Sequence, residues 1–232
     1  MKMKILIACE ESQRVCIEMR RLGHEAYSCD IQECSGGHPG WHIMGDVLPI
    51  INGHCTFRTS DGEFHCIETS WDMIIAHPPC TYLSNAATRC HSIKRNSIEQ
   101  INARTAKRIE AMQFFMNIAN ADCDRIAIEN PIGVMNTAYR KPDQIIQPYY
   151  FATDENDTEN YVTKSTCLWL TGLQPLTYNT DIAKPDNGLL FGKSPSGKNR
   201  TWEDTYSRDP KIRSKTFPGI ARAMAEQWAG QA

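Results

Sequence analysis

Short apolar runs alternate with amphipathic stretches along the first part of the chain. The run at residues 4–9 is continuous, as is typical of a strand buried on both faces of a parallel sheet, and further strands are predicted at residues 25–29, 41–44, 71–76 and 125–128. An amphipathic stretch that opens at Ser12 and closes at Gly23 predicts a helix, and so does a longer one capped by Ser97. The longer helix is expected to bury a face made of Ile101, Ala106, Ile109, Met112, Phe115 and Met116.

This alternation predicts an α/β fold with one open, mostly parallel sheet and helices on both faces. Asp61-Gly62, between two β-rich stretches, predicts a hairpin. Beyond residue 131 the pattern weakens, and the elements expected there are strands at 144–151 and 166–170, a loop-rich region at 178–210 and a last helix from Pro218. A length of 232 residues suggests one domain.

Composition narrows the class of protein. The 25 Lys and Arg residues nearly balance 27 Asp and Glu, which argues against a strongly cationic nucleic-acid coat protein but leaves a local basic groove open. Apolar runs are too short for a membrane span or a signal peptide, so we expect a cytoplasmic protein with no membrane partner. The ten cysteines are expected to be mostly reduced packing residues.

Polar clusters follow the predicted strands at their carboxyl ends, where open α/β sheets bind ligands. These clusters are Cys9-Glu10-Glu11, Asp30, Gly45-Asp46, Pro79-Cys80 and Glu129-Asn130.

The first turn, Cys9-Glu10-Glu11-Ser12, contains no glycine, and its two acids would repel a pyrophosphate at the helix N-terminus. This argues against NAD, FAD or ATP and favours the cationic cofactor S-adenosylmethionine. Asp30 is placed to accept hydrogen bonds from ribose hydroxyls, although a plain surface acid is the competing interpretation. Asp46 is expected to reach the amino group of adenine.

Cys80 follows two prolines, which give a stiff, extended exit from a buried strand. A stiff turn limits the positional freedom of a thiol, and a nearby sulfonium or histidine would lower the pKa of that thiol. The alternative is a packing cysteine in a proline turn.

Pro-Pro-Cys at 78–80 followed by Glu-Asn at 129–130 resembles the DNA cytosine-5 methyltransferases. The acid after the second strand, Asp30, and Gly-Asp-Val at 45–47 match the same family in the same order. The chain is also similar to small methyltransferase-like proteins of phages and prophages, through stretches 8–12, 77–84 and 216–221.

The resemblance implies a class I, Rossmann-like methyltransferase that uses S-adenosylmethionine and acts on double-stranded DNA whose target base is flipped out. It implies that the Cys80 thiolate attacks C6 of cytosine, that Glu129 contacts N3 and the amino group, and that Asn130 positions the Glu129 loop. The methyl group is then transferred to C5. No obligate protein partner is expected.

The resemblance also implies an organisation and two sets of binding residues. Residues 1–131 would form the cofactor-binding and catalytic core, 132–210 a reduced target-recognition segment, and 211–232 a C-terminal helix that returns to the core. The cofactor set is Ala8, Cys9, Glu10, Glu11, Asp30, Ile31, Asp46, Val47 and Pro78. The substrate set is Pro79, Thr81, Ser84, Lys164 and Arg213.

The chain departs from the family pattern at several positions. Residues 7–11 replace the Phe-x-Gly-x-Gly turn, Thr81 replaces the usual glutamine, and a proline follows Glu-Asn. In the resemblance, residues 162–167 correspond to the Gln-x-Arg-x-Arg strand, and Lys164 is the available cation there.

Three other functions remain open at this point. A DNA amino-methyltransferase is disfavoured because His77 precedes the prolines and Cys80 follows them. The short recognition segment allows a free pyrimidine nucleotide as substrate. A catalytically silent binding module is favoured by the glycine-free first turn.

Other features have less specific interpretations. Cys34, His38 and His42 lack the spacing of a structural zinc site, so no metal is expected. The basic stretch 190–215, which includes Lys193, Lys198, Arg200, Arg208, Lys211, Arg213 and Lys215, is either a solvated face or a phosphate contact. The aromatic residues Tyr149, Tyr150 and Trp169 are expected in the core.

Overall fold

The computed structural model describes residues 1–85, 93, 96–202 and 210–232. Its strands are β1 Lys4–Ala8, β2 Glu25–Asp30, β3 His42–Met44, β4 Cys55–Arg58, β5 Phe64–Ile67, β6 Met73–Ala76, β7 Ile126–Pro131, β8 Gln144–Ile146 and β9 Thr166–Thr171. Its helices are α1 Arg14–Arg21, α2 Ile98–Ala119, α3 Met135–Ala138, α4 Asn187–Phe191, α5 Pro210–Ser214 and α6 Pro218–Met224, and a π-helical turn, Ala225–Ala229, follows α6.

Within the described residues, seven strands form one mixed sheet in the order β3-β2-β1-β6-β7-β9-β8. The strands β3, β2, β1, β6 and β7 are parallel to one another, whereas β9 is antiparallel to both of its neighbours. The predicted α/β class with a mostly parallel sheet is therefore confirmed, and the architecture is compatible with a Rossmann-like fold.

Two apolar layers cover the two faces of this sheet because side chains alternate along each strand. Ile5 and Ile7 of β1 pack with α1, α6 and the π-helical turn on one face. Leu6 and Ala8 pack on the other face with the second half of α2 and with the hairpin region. The prediction of helices on both faces is confirmed.

Several predicted elements are confirmed with small changes of boundary. The Asp61-Gly62 turn joins β4 to β5, which pair as an antiparallel hairpin. Ser97 caps α2 through a capping box with Gln100, in which each side chain bonds the backbone N–H of the other. Gly23, just past the end of α1, has a φ of 94°, as expected at a helix C-terminus.

Two predictions about elements are wrong. The strand expected at 144–151 ends at Ile146, and a 3-10 turn, Pro148–Phe151, follows it, since Pro148 has no N–H for a sheet ladder. The expected buried face of α2 fails in its first half, where Ala106 and Ile109 are exposed. The second half of α2 packs on the sheet through Phe115 and Ile118.

The main sheet continues past residue 131. Strands β8 and β9 come from the segment 132–210 and extend the main sheet beyond β7. Part of this segment is therefore structural core. Within the described residues, no helix is long and apolar enough to span a membrane.

Candidate active site

A cavity of about 1070 Å³ opens at the carboxyl edge of the parallel strands. Its sheet side is lined by predicted site residues that follow or end β1, β2, β6 and β7: Cys9, Glu10, Glu11, Asp30, Pro78, Pro79, Cys80, Thr81, Ser84, Glu129 and Asn130. The remaining lining residues come from the last hundred residues of the chain and include the predicted Lys164 and Arg213. The cavity thus brings together residues that are far apart in the sequence.

Four predicted cofactor residues do not line this cavity. Ala8 and Val47 are buried in the core, because each packs in the layer that contains the hairpin. Ile31 is 79% exposed beside Asp30. Asp46 accepts a hydrogen bond from the backbone N–H of Leu48 at 3.0 Å, which stabilises the turn after β3.

Asp30 lines the cavity at the end of β2, as the sequence predicts. One of its carboxylate oxygens accepts a hydrogen bond from the backbone N–H of Gln32 at 2.9 Å, which fixes the side chain. Burial, followed by the charges of Asp30 and Asp46, raises the pKa of Cys29 to about 12. The two acids therefore act on the same edge of the sheet.

The turn after β1 keeps a left-handed backbone without a glycine, since Cys9 has a φ of 61°. The carboxylate of Glu10 then accepts hydrogen bonds from the backbone N–H groups of Val15 at 2.7 Å and Cys16 at 3.2 Å. The side chain of Glu10 therefore caps the N-terminus of α1. A carboxylate of the chain itself thus occupies the place where a helix N-terminus would hold a phosphate. Burial raises the pKa of Glu10, against the opposing influence of His77 and the two N–H donors.

Glu11 differs from its neighbour Glu10. It is only 6% exposed, yet within the described residues its Oε1 atom has no hydrogen-bond partner. Because buried carboxylates normally have donors, the unpartnered oxygen favours a cationic or donor-bearing ligand in the cavity.

The turn that carries Cys80 is fixed from two sides. Asn130 on β7 donates from Nδ2 to the carbonyl oxygen of Pro78 at 2.6 Å. The backbone N–H groups of Leu83 and Ser84 both donate to the carbonyl oxygen of Cys80 at 3.0 Å. The side chain of Asn130 is 2% exposed, so this contact is shielded from water.

Helix α2 holds the continuation of the same turn. Arg104 donates to the carbonyl oxygen of Thr81 at 3.2 Å, and Arg108 donates to that of Tyr82 at 3.0 Å. The guanidinium of Arg104 also lies over the ring of Tyr82, 5.0 Å from its centroid. The sequence predicts none of these contacts, because they join segments more than twenty residues apart.

The Cys80 thiol is exposed on the cavity wall rather than packed in the core. Partial burial and the charge of Glu129 raise its pKa, while Lys164 and Arg213 oppose that shift. The expectation that a histidine lowers the pKa of this thiol is wrong, since the nearby His77 is hydrogen-bonded to Glu129 instead.

Glu129 and Asn130 lie within β7 rather than after it. The Oε2 atom of Glu129 is 3.2 Å from Nδ1 of His77. Burial alone would raise the pKa of Glu129, but the hydrogen bond and charge of His77, together with the charge of Lys164, lower it overall. The carboxylate is therefore ionised in the free protein.

One part of the cavity lining, the cationic wall, is basic. Lys164, Lys184 and Arg213 line it, and Lys164 donates from Nζ to the carbonyl oxygen of Arg213 at 2.8 Å. The ammonium of Lys164 also lies over the rings of Trp202 and Phe217, at 5.5 and 5.6 Å from their centroids. One cavity thus combines an acidic end, at residues that follow β1 and end β2, with a cationic wall whose Lys164 and Arg213 act on Cys80.

The expectation that Tyr149 and Tyr150 are core residues is confirmed only in part, because Tyr150 packs against the core whereas Tyr149 is not part of it. Both are half-buried and line the cavity, and Tyr150 stacks on Tyr178 with centroids 4.3 Å apart. Pro148 turns the chain out of the sheet here, and this exposes the two rings. Trp169 is a core residue, as expected.

The basic stretch 190–215 divides into two parts. Lys193, Lys198 and Arg200 are exposed to solvent, whereas Arg213 lines the cavity. Arg208 and the side chain of Lys211 lie outside the described residues.

The cysteine and histidine cluster after β2 does not converge on one point. His42 is buried between Ser28, at 2.9 Å, and the carbonyl oxygen of Gln32, at 2.8 Å, and His38 stacks on Trp41. Among the residues that the structure describes, no group of three His, Cys, Asp or Glu side chains could hold a metal ion.

Fold and site define an α/β protein with a polar cavity at the carboxyl edge of its sheet, and this cavity is lined by both acidic and basic residues. No protein-family model matches the chain, and no curated protein matches it either. The function of the cavity therefore has to be inferred from its geometry and charges.

Proposed function

We propose that the protein is an S-adenosylmethionine-dependent methyltransferase that methylates C5 of cytosine in DNA by covalent catalysis. The observation that carries this proposal is the common cavity, which presents the thiol of Cys80 and the carboxylate of Glu129 beside the acidic pocket of Glu11 and Asp30. A nucleophile, a group that recognises the base and a pocket for a cationic cofactor are the parts that this reaction requires.

The residues present fit S-adenosylmethionine. The unpartnered, buried oxygen of Glu11 suits an ammonium group. Within the described residues, one oxygen of Asp30 accepts no hydrogen bond and can therefore accept from ribose hydroxyls. Because Glu10 occupies the N-terminus of α1, a phosphate-bearing cofactor is disfavoured. When bound, S-adenosylmethionine supplies the methyl group.

The chain's own residues support covalent activation of the base. Cys80 must lose its proton before its sulfur bonds to C6, and Lys164 and Arg213 favour the thiolate. Glu129, held by His77, is placed to contact N3 and the amino group of cytosine as electron density moves into the ring. When C5 then loses its proton, the electron pair of that C–H bond re-forms the C5–C6 double bond, the Cys80 sulfur leaves C6, and the aromatic ring is restored.

The cationic wall supports a polyanionic substrate. Lys164, Lys184 and Arg213 face the same cavity as Cys80, so a phosphodiester beside the target base would meet positive charge. A base inside a duplex cannot reach a thiol on a cavity wall, and double-stranded DNA would therefore have to flip its cytosine into the cavity.

A free pyrimidine nucleotide is the second candidate substrate. One observation favours it: β8 and β9, expected in a recognition segment, are part of the main sheet, which leaves fewer residues to read a DNA sequence.

The test is transfer of a labelled methyl group from S-adenosylmethionine to three substrates, namely duplex DNA, single-stranded DNA and dCMP. We expect 5-methylcytosine in DNA with the wild-type chain and no product with Cys80→Ser. Cys66→Ser, an exposed cysteine on the hairpin, is the matched control and should remain active. Label on dCMP alone would establish the second candidate, and N4-methylcytosine or N6-methyladenine would refute the covalent mechanism.

Binding of the cofactor can be measured without any substrate. Asp30→Ala should weaken binding of S-adenosylmethionine in calorimetry, whereas Cys80→Ser should leave it largely intact. A chain that binds no S-adenosylmethionine at all would favour a catalytically silent module.

A further inference from the structure

His77 follows β6 and contacts both of the neighbouring strands, β1 and β7. Its backbone N–H donates to the carbonyl oxygen of Ala8 at 2.9 Å, so the end of β6 is fixed against β1. Its side chain is 8% exposed, and Nδ1 lies 3.2 Å from Oε2 of Glu129. Within the described residues, its Nε2 atom is buried without a hydrogen-bond partner.

The turn itself does not need this side chain. Pro78 and Pro79 restrict the backbone, and Asn130 holds the carbonyl oxygen of Pro78. A buried imidazole with one unpartnered nitrogen is costly, because an apolar residue of similar size would avoid the loss of solvation. The side chain therefore calls for an explanation beyond packing.

Three charged groups act on His77 from neighbouring elements: Glu129 from β7, Glu10 from the turn after β1, and Lys164 from the segment before β9. Burial and Lys164 oppose protonation, but the hydrogen bond and charge of Glu129, together with Glu10, raise the pKa of His77 overall. The pKa of Glu129 is lowered by the same contact. The contact between Nδ1 and Oε2 therefore favours the imidazolium form of His77 beside the carboxylate form of Glu129.

This charge state matters for the chemistry of the base. When a thiolate adds to C6 of cytosine, the electron pair displaced from the C5–C6 bond is stabilised if N3 gains a proton. An ionised Glu129 has no proton to give. The imidazolium of His77 is hydrogen-bonded to that carboxylate and holds one.

We propose that His77 is a positioning residue that orients Glu129 and supplies, through the Glu129 carboxyl group, the proton that cytosine N3 takes up. The proposal rests on the proposed function. As the sulfur–C6 bond forms, the proton on His77 Nδ1 moves to Glu129 and a proton moves from Glu129 to N3, which leaves a neutral imidazole. When the sulfur–C6 bond breaks, N3 returns its proton along the same route.

The kinetic test compares His77→Asn with the wild type, since asparagine places an amide nitrogen close to the position of Nδ1. This variant can still donate to Glu129 but cannot exchange a proton. We expect kcat to fall by roughly 100-fold with little change in the KM for S-adenosylmethionine. We expect the wild-type pH profile of kcat to be bell-shaped, because the reaction needs an ionised Cys80 and a protonated His77. The profile of His77→Asn should be a single rise with pH, because only the ionisation of Cys80 is still required.

His24→Asn is the matched control. His24 is buried, as His77 is, but both of its ring nitrogens are hydrogen-bonded and it does not line the cavity. It should keep the bell-shaped profile. A His77→Asn variant with wild-type kcat, or with the wild-type profile at a lower rate, would reduce His77 to a structural role.

A second measurement does not depend on methyl transfer. Titration of the His77 ring by NMR in the wild type and in Glu129→Gln reads the coupling of the pair directly. We expect the pKa of His77 to be lower in Glu129→Gln. An unchanged pKa would overturn the inference even in an active enzyme, whereas a lowered pKa in a chain that methylates nothing would refute the proposed function alone.

Discussion

The reactivity of Cys80 in the free protein depends on the charged groups around its thiol. Partial burial and Glu129 raise the pKa of the thiol, while Lys164 and Arg213 oppose them. At neutral pH the free protein therefore holds mainly the protonated thiol, and covalent chemistry has to begin with loss of that proton.

We predict that Lys164→Met slows alkylation of Cys80 by iodoacetamide at pH 8, because loss of this cation raises the pKa of the thiol further. A change of one pKa unit corresponds to about a tenfold change in thiolate at a pH below the pKa. Glu129→Gln should act in the opposite direction. Peptide-resolved mass spectrometry measures the rate at Cys80, and faster alkylation in Lys164→Met would contradict the charge assignment.

The adjacent acids Glu10 and Glu11 should separate stability from cofactor binding. Glu10→Ala leaves two backbone N–H groups of α1 without their acceptor, so we expect a loss of about 1–2 kcal/mol in the free energy of unfolding. Glu11→Ala removes an oxygen without a partner among the described residues, and its main effect should be weaker binding of S-adenosylmethionine by about tenfold or more. Urea unfolding measures the stability of both variants, and calorimetry measures their binding of S-adenosylmethionine. Equal losses of stability and of binding in the two variants would contradict the separate roles of Glu10 and Glu11.

Some of these residues follow from the sequence, and others do not. Asp30, Cys80 and Glu129 are predictable because the ends of parallel strands meet at one edge of a sheet. The capping role of Glu10 is not, since it depends on the left-handed turn at Cys9. The pairing of His77 with Glu129 joins residues 52 positions apart, and no local pattern encodes it.

The turn around Cys80 and the segment after β7 are in direct backbone contact. Ser84 forms a β-bridge with Gly133, and the N–H of Val134 donates to the carbonyl oxygen of Leu83 at 2.8 Å. A side chain at Gly133 would place its Cβ 2.0 Å from that same oxygen. The approach of the two segments therefore requires glycine at this position.

We predict that Gly133→Ala displaces the Cys80 turn and lowers the free energy of unfolding by about 1–3 kcal/mol, as overpacking does elsewhere. Methyl transfer should fall as well, because Cys80 and Glu129 would no longer keep their relative positions. Gly45→Ala is the control, since its added Cβ would have nothing within 4 Å. Full activity and unchanged urea unfolding in Gly133→Ala would show that the contact is dispensable.

Among the elements, local signals predict well and distant pairing does not. The Asp61-Gly62 hairpin and the Ser97 capping box are written in a few adjacent residues, and both form. The insertion of β9 between β7 and β8 depends on contacts across the sheet. For that reason the sequence pattern assigns these strands to a separate segment rather than to the sheet.

At the scale of the whole molecule, the last helical segment closes one face of the sheet. Trp228 is 7% exposed in the layer that also contains α1, and its ring nitrogen donates to the carbonyl oxygen of Gln174 at 2.9 Å. The backbone N–H of Ala232 donates to the carbonyl oxygen of Leu22. The C-terminal residues are thus bound to the turn that follows α1.

We predict that Trp228→Ala costs about 3–5 kcal/mol in the free energy of unfolding, since a large buried ring is lost together with its hydrogen bond. Phe64→Ala, which removes a ring that is 72% exposed, should change stability far less. Urea unfolding of both variants measures the difference, and equal losses would contradict the assignment of Trp228 to the core.

One cavity contains an acidic end, a cationic wall, the thiol of Cys80 and the carboxylate of Glu129. This arrangement is the basis for assigning a cationic cofactor to one end and a phosphate-bearing substrate to the other. We propose that the cofactor and the substrate meet at the thiol of Cys80 and that the product is methylated at C5.

Nucleoside mass spectrometry of DNA from cells that express the wild-type chain or Cys80→Ser tests this claim most directly. We predict 5-methylcytosine above the background of the host with the wild type, and none above it with Cys80→Ser. Equal amounts of 5-methylcytosine with both chains would contradict a covalent role for Cys80, and a methylated amino group in place of 5-methylcytosine would contradict the proposed reaction.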